Sequence, residues 1–547
     1  GALLRGPGRS GGVRDPGMWI RFLYGSREIS WSAKRSPPGP HREGDEPNPM
    51  MHDREKSDPP IVAVKSANKP ANRGAESMER RGGTKGNAFQ TRMHRTQSRR
   101  RVCQRLERVR QAAKTRGGEK FTVLMSHMDS DLMLTAFYDL KRKASPGVDG
   151  VTWKEYEANL EGNLADLSRR VHGNVYKAMP SRRTYIEKQD GSLRPLGIAA
   201  LEDKIVQRAV VMVLNTVYEE DFQGFSYGFR PGRGQHQALD AVAVGIRHQE
   251  VHWILDADLR KFFDTVDHDW LMRFLRHRIG DKRILRLIWL WLKAGVLEDG
   301  SLTPTEQGTP QGSVISPLLA NIYLHYALDL WAARWRSKVA EGQVMIVRYA
   351  DDFVVGFRRE SDAHRFLSEL KERLEKFSLI LHPEKTRLIE FGRNAERDRN
   401  ARGESKPETF EFLGLTHICS RPRRGLGFLL KRHTSRPKMR SKLRSIKEEL
   451  KHRMHLKIQE QGQWLRRVVG GYFNYHAVPT NIVALATFHR VVTGMWLRAL
   501  RRRGQRDRTT WETIRGLADR WLPNPKILHP WPEQRFAANN PRWEPGA

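Results

Sequence analysis

The sequence predicts an α+β protein followed by a separate helical domain, and three observations carry that expectation. Between residues 121 and about 420, short apolar strands alternate with amphipathic helical stretches. Turn signals such as Asp190-Gly191 and the run Ser145-Pro146-Gly147-Val148-Asp149-Gly150 punctuate them. Past 420 the strands largely give way to basic helices, as at 438–454, where Leu443, Ile446, Leu450 and Met454 share one face.

Taken in order, apolar residues recur at Leu124, Leu132, Leu134, Phe137 and Leu140 ahead of the Ser145 turn. A helix is expected near 153–170, and strands near 183–186 and 196–198 flank Asp190-Gly191. The spacing then predicts a helix at 205–218, a strand at 251–258 and a helix at 268–278. Two apolar runs, 344–349 and 353–357, read as a hairpin, followed by a helix at 362–377, strands near 386–391 and 410–415, and a second basic helix at 482–500. Four segments result. Residues 1–120 are a basic extension rich in Gly, Pro, Ser and Arg, expected to be largely disordered, with 97–115 either a basic helix or a solvated tail. The α+β part covers 121–420, the helical domain 421–505, and a short Trp- and Pro-rich tail 506–547.

The 547 residues carry 97 Lys and Arg against 62 Asp and Glu, a formal net charge of +35. That excess exceeds what solubility needs and implies a polyanionic partner, nucleic acid above all. Two cysteines, Cys103 and Cys419, exclude a disulfide scaffold and any zinc site built on several thiolates. No apolar run approaches the roughly 20 residues a bilayer span needs, and Gly1-Ala2-Leu3-Leu4-Arg5 has no signal-peptide layout. The expected location is cytoplasmic, in a bacterial cytosol or on its nucleoid, with no membrane partner.

The most informative stretch is 344–357, VMIVRYADDFVVGF, in which two apolar strands meet at adjacent carboxylates. A bare Asp-Asp is most often an exposed turn, but strands on both sides make the acids costly unless a cation meets them. A hard divalent cation, which prefers carboxylate oxygens and bridges them to phosphates, satisfies that need. A partner acid belongs on a neighbouring strand, and 253–264, WILDADLRKFFD, supplies candidates. Asp256 and Asp258 fall on one strand face, so spacing alone does not choose between them.

Together these residues resemble the polymerase palm of reverse transcriptases, in which an acid in one strand is followed later by an aromatic-X-Asp-Asp box, here Tyr349-Ala350-Asp351-Asp352. The family's spacing of an acid five residues before a bulky aromatic selects Asp258 and Phe263 and makes Asp256 a neighbour. The resemblance implies two Mg2+ ions held by Asp258, Asp351 and Asp352, with Phe263 set against the 2′-hydroxyl of ribonucleotides. Further blocks match in the family's order. Residues 182–198, RRTYIEKQDGSLRPLGI, look like the fingers hairpin whose basic residues, here Lys188 and Arg194, meet the incoming triphosphate. The block 225–233, FSYGFRPGR, is similar to the next one, and 308–321, GTPQGSVISPLLAN, is the most specific, with Gln311 where the new base pair is approached. LHPEKT at 381–386 supplies the basic residue Lys385 near the palm, and FEFLGL at 410–415 resembles the primer-grip hairpin.

Within reverse transcriptases, these blocks and the basic helices carrying Gly470-Gly471-Tyr472-Phe473-Asn474-Tyr475 resemble the group II intron class, whose thumb is the maturase domain. The resemblance covers about 121–505 and implies a right-hand polymerase fold, with fingers and palm on a mixed sheet and an all-helical thumb. It implies RNA-directed DNA synthesis on intron RNA template from a DNA or RNA primer with deoxynucleoside triphosphates, and RNA binding that assists splicing and retrohoming. Many relatives end in an HNH endonuclease with paired cysteines. Residues 506–547 contain no Cys and one His, His529, so DNA cleavage is not expected of them. The competing readings are a reverse transcriptase domesticated for phage defence and a non-catalytic RNA-binding splicing factor, and the second should have lost the acids that are present here.

Overall fold

The computed structural model describes residues 85–187, 193–298, 300–422, 427–504 and 507–540, apart from the side chains of 85–96 and 187. The expected disorder at 1–84 and the candidate Lys188 lie outside these residues. Helix α1 (Lys85–Thr115) covers the stretch expected at 97–115 and does not stand free. Its buried Val102, Val109 and Ala113 seat it on α2 (Ser130–Asp139) and on the long helix of the fingers. Arg105 reaches Asp129 with both terminal nitrogens, and Arg110 Nε lies 2.6 Å from Glu220. The folded body thus begins before Phe121, because a thin apolar stripe among many arginines is enough to dock a helix.

After α3 (Trp153–Glu157) and α4 (Leu160–His172), which divide the single helix expected at 153–170, the chain forms β1 (Ser181–Glu187) and β2 (Leu193–Ile198). Helix α5 (Leu201–Asp221) follows. The β1–β2 hairpin pairs in antiparallel register from Arg182 with Ile198 to Glu187 with Leu193.

Helix α6 (Gln235–His248) precedes β3 (Trp253–Ala257). Helices α7 (Phe262–Thr265), α8 (His268–Arg278) and α9 (Lys282–Lys293) come next, and then the small strands β4 (Val296–Glu298) and β5 (Ser301–Thr303), which extend the β1–β2 sheet. Helix α10 (Ser316–Leu324), a π-helical turn at His325–Asp329 and α11 (Leu330–Lys338) lead into β6 (Val344–Tyr349) and β7 (Asp352–Phe357). After α12 (Glu360–Glu375) and β8 (Arg387–Glu390), the palm sheet is complete in the order β6-β7-β3-β8, with each pair antiparallel. Helix α6 packs on β6, and Ala238, Val242, Ile246, Met345, Val347 and Val354 form part of one apolar core.

Beyond α13 (Ala395–Ala401), the segment 410–415, read by pattern as one strand and by resemblance as a hairpin, is the hairpin of β9 (Phe410–Phe412) and β10 (Leu415–Ser420). Leu413 and Gly414 take φ values of 48° and 82°, which a strand cannot accommodate and a two-residue primed turn requires. Strand β11 (Leu429–Thr434) joins this sheet and delivers the chain to α14 (Arg436–His452), α15 (Ile458–His476) and α16 (Ile482–Arg501). Those helices share a core of Ile446, Leu450, Leu465, Phe473, Phe488 and Trp496.

The tail expected at 506–547 is not a plain tail. Helix α17 (Trp511–Trp521) adds Ile514 and Ala518 to the thumb core. Helix α18 (Pro532–Asn539) packs on α6 of the palm, where Glu533 pairs with Arg247 at 2.5 Å and Arg535 Nε lies 3.3 Å from Asp240. The sequence signal is short because each helix spans few turns and prolines separate the two.

Trp496 is fully buried in the thumb core and donates its indole N–H to Gln461 at 2.8 Å. Trp496→Ala should therefore cost about 3–5 kcal/mol, read as a lower urea midpoint, whereas a loss under ~1 kcal/mol would contradict this packing.

Candidate active site

The site is built around the tip of the β6–β7 hairpin. Tyr349 pairs with Asp352, which leaves Ala350 and Asp351 as a two-residue loop, and Ala350 takes φ 58°. A left-handed first loop position suits the twist of the strands but costs a residue with a Cβ roughly 1 kcal/mol or more. The surroundings hold it there. Arg348, 1% exposed, donates Nε to Asp329 Oδ1 at 2.7 Å and Nη2 to Asp329 Oδ2 at 2.5 Å and to Ser226 Oγ at 2.7 Å. Its Nη1 donates to Asn321 Oδ1 at 3.1 Å and to the Ala350 carbonyl at 2.9 Å. All five guanidinium N–H groups are thus used, one of them on the strained loop itself.

The same residues join three sequence blocks. Asn321, at the end of GTPQGSVISPLLAN, also donates Nδ2 to the Gly228 carbonyl at 2.7 Å. The FSYGFR segment runs beside β6, with Tyr227 N donating to Arg348 O and Arg348 N to Phe225 O, each at 2.9 Å. A Cβ on Gly228 would lie 2.3 Å from Ala350 N, so only glycine permits this approach. Asp329 closes the π-helical turn, an irregularity that aims its carboxylate at Arg348.

Asp258 lies just past β3, whose Ala257 pairs with Phe353, so it sits beside Asp352 across the sheet. Its carbonyl accepts from His382 N at 2.8 Å, and its carboxylate accepts from Lys385 Nζ at 2.9 Å. Asp352 is open to solvent at the hairpin tip yet walled by protein atoms, and that crowding, joined by the charges of Asp351 and Asp258, pushes its carboxyl up to about 7. Burial and then Asp258 raise Asp351, while Arg194 and Arg348 oppose the rise. Asp256 is pushed up to about 7, by burial first and then by Asp352 and Asp258, against the pull of Arg387 at 4.0 Å. The structure therefore brings Asp258, Asp351 and Asp352 together and keeps Asp256 within electrostatic reach. Among the described residues no three His, Cys, Asp or Glu side chains form a ready metal cage. The donor set is nevertheless all carboxylate oxygen under mutual repulsion, which suits a hard divalent cation.

Of the remaining candidates, Lys385 and Arg194 reach these acids, whereas Phe263 and Gln311 belong to a neighbouring turn and loop. Phe263 is half-buried and meets Phe262 edge to face at 5.4 Å. Its carbonyl accepts from Thr309 N at 2.7 Å, and a Cβ on Gly308, at φ 86°, would lie 2.9 Å from that same oxygen. The Gln311 carbonyl accepts from Gly197 N of β2 at 2.7 Å, and its side-chain amide reaches Asp264 only at 3.5 Å. Gln311 thus ties the fingers to the Phe263 turn through its backbone and keeps its side chain nearly uncommitted. Arg194 is exposed on β2 with its charge felt at Asp351. Lys438 on α14 pulls Asp352 downward alongside Lys385, and nothing in the sequence sets it apart from the many other thumb lysines. Arg348, Asp329, Asn321 and Ser226 were also missed, since nothing local marks a buried pair formed across 19 residues.

Asp329→Asn keeps the shape of the side chain and leaves Arg348 buried without a counter-charge. It should cost about 3–5 kcal/mol in denaturant unfolding, and a variant as stable as the parent would show that the pair is not what holds the loop.

Comparison with known proteins places the chain among recognised sequences. Residues 186–417 match the family model described as reverse transcriptase (RNA-dependent DNA polymerase). Protein YkfC of Escherichia coli (strain K12) is 36% identical over 301 residues, covering 48% of this chain and 78% of that protein. The group II intron-encoded protein LtrA of Lactococcus lactis subsp. cremoris is 34% identical over 235 residues, covering 43% of this chain and 39% of LtrA. The putative COX1/OXI3 intron 2 protein of Saccharomyces cerevisiae is 34% identical over 206 residues, covering 37% of this chain and 24% of that protein.

Proposed function

Since the chain belongs to the reverse transcriptase family, in its group II intron-encoded branch, we propose that it copies intron RNA into DNA and grips that RNA to assist splicing and retrohoming. The observation that carries this reading is the convergence of Asp258, Asp351 and Asp352 from neighbouring antiparallel strands, with Lys385 and Arg194 in reach of them. In it Asp258, Asp351 and Asp352 hold two Mg2+ ions, which when bound lower the barrier to attack by a primer 3′-hydroxyl and steady the departing pyrophosphate.

The chain's own residues do the rest. Arg194 and Lys188 meet the triphosphate of the incoming deoxynucleotide from the fingers, and Lys385 meets it from the palm, exchanging its contact with Asp258 for a phosphate oxygen. Phe263 fills the space a 2′-hydroxyl would need, and Gln311 faces the new pair from a loop that glycines bring close. The primer is DNA or RNA, and its end faces the Leu413–Gly414 turn. Among the described residues no helix is long and apolar enough to cross a membrane, and a cytoplasmic site of action accords with the proposed RNA partner. The non-catalytic alternative gains nothing from the geometry, because RNA binding alone has no use for three mutually repelling carboxylates held at one place.

Copying and splicing should separate by mutation. Asp351→Asn removes one negative charge from a hard-cation site and should reduce primer extension to background while RNA binding and assisted splicing persist. Parallel extension and splicing assays on a folded variant decide it: parental extension would end the catalytic assignment, and equal loss of splicing would end the separation. Phe263→Val should raise ribonucleotide use relative to deoxynucleotide use by on the order of tenfold or more, the scale on which such pocket changes discriminate. Steady-state kinetics with both substrates measures it, and an unchanged ratio would return Phe263 to a packing role.

A further inference from the structure

The motif Gly470-Gly471-Tyr472-Phe473-Asn474-Tyr475 on α15 has no role so far, and its last residue reaches out of the thumb. Tyr475 donates its hydroxyl to the Leu413 carbonyl at 2.6 Å. The neighbouring Gly414 carbonyl accepts from Ser435 N at 3.0 Å, so both carbonyls of the β9–β10 turn are anchored from outside the hairpin. The turn needs that support. Leu413 at φ 48° is a Cβ-bearing residue in the left-handed region, where relaxation toward ordinary backbone would swing the turn and its carbonyls together.

The turn also borders the site. Leu413 and Tyr349 pack against one apolar core, and a Cβ on Gly414 would lie 3.1 Å from Cδ of Lys438, whose charge is felt at Asp352. Tyr475 is buttressed in turn by the ring of His236 on α6, with centroids 5.2 Å apart, and His236 stacks on His529 at 3.9 Å. His529 is fixed by its contacts with the Asn474 carbonyl and with Arg535, both at 2.8 Å. Burial first, and then His529, Arg535 and Arg432, push His236 down to about 3.

We propose that Tyr475, held by the His236–His529 stack, is a positioning residue that fixes the Leu413–Gly414 turn against the primer end. The inference rests on the polymerase reading above, and it assigns the segment around His529 a part in primer alignment through Tyr475. The ring packs whether or not it carries a hydroxyl, so the Oη contact is what aligns the turn.

The test is Tyr475→Phe in the full chain, which keeps the ring and deletes one hydrogen bond. Steady-state extension is measured on a recessed 3′-end duplex, with duplex affinity read by fluorescence anisotropy and folding by thermal melting. The expected result is a rise of about fivefold to tenfold in KM and Kd for primer–template, the scale of one lost hydrogen bond. The nucleotide KM, kcat and melting temperature stay essentially unchanged. His529→Ala, which leaves the hydroxyl in place, gives a smaller rise of the same kind. An unaltered primer–template KM in folded Tyr475→Phe overturns the inference, as does an equal rise in nucleotide KM. A parent that extends no primer at all sinks the polymerase reading and this inference with it, whereas an extending parent beside an unaffected variant sinks the inference alone.

Discussion

The buried pair of Arg348 and Asp329 is the constraint on which the rest of the site depends. Removing two charges from water is expensive, and the cost is offset only when every donor and acceptor finds a partner. Here Arg348 spends its five N–H groups on a carboxylate, an amide, a hydroxyl and the carbonyl of a strained loop. The sequence blocks around 226, 321 and 348 are far apart in the chain, yet one guanidinium meets all three. The loop of Ala350 and Asp351 therefore inherits its geometry from a buried network beneath it.

Much of this was legible in the sequence, for identifiable reasons. The β6–β7 hairpin could be read because two apolar runs flank a polar tip, and α8 was placed to its ends because Asp267 caps it and an apolar stripe continues to Arg278. Family spacing separated Asp258 from Asp256, although the structure leaves both carboxylates within each other's field. Other features were illegible because their causes are not local. The hairpin at 410–415 was legible only by resemblance, since its turn rests on Leu413, a residue with no turn preference whose carbonyl is held by Tyr475 of the thumb. The docking of α1 rests on three small apolar residues among arginines, and the packed helices after 506 rest on contacts with the thumb core and the palm.

The distribution of charge follows a similar division. Exposed Lys and Arg on α14, such as Lys442 and Arg444, face solvent where they can meet phosphates, and screening makes such contributions sensitive to salt. Buried cations such as Arg278, Arg348 and Arg432 each have a carboxylate partner in the chain, Asp221, Asp329 and Asp240. Each of these three buried arginines is thus neutralised within the chain, and none of them is available to an external polyanion.

The return of α18 to the palm has a mechanical consequence. The chain leaves the palm through β11, builds the thumb, and comes back to clamp α6 through Glu533 and Arg535. A bundle tethered at one end is a lever, free to sweep about its root, whereas one tethered at both ends is a bracket whose two feet share any load. Tension from a moving template would pass into the palm by two routes, and neither foot can drift far, because the other keeps it at high local concentration near its own footing.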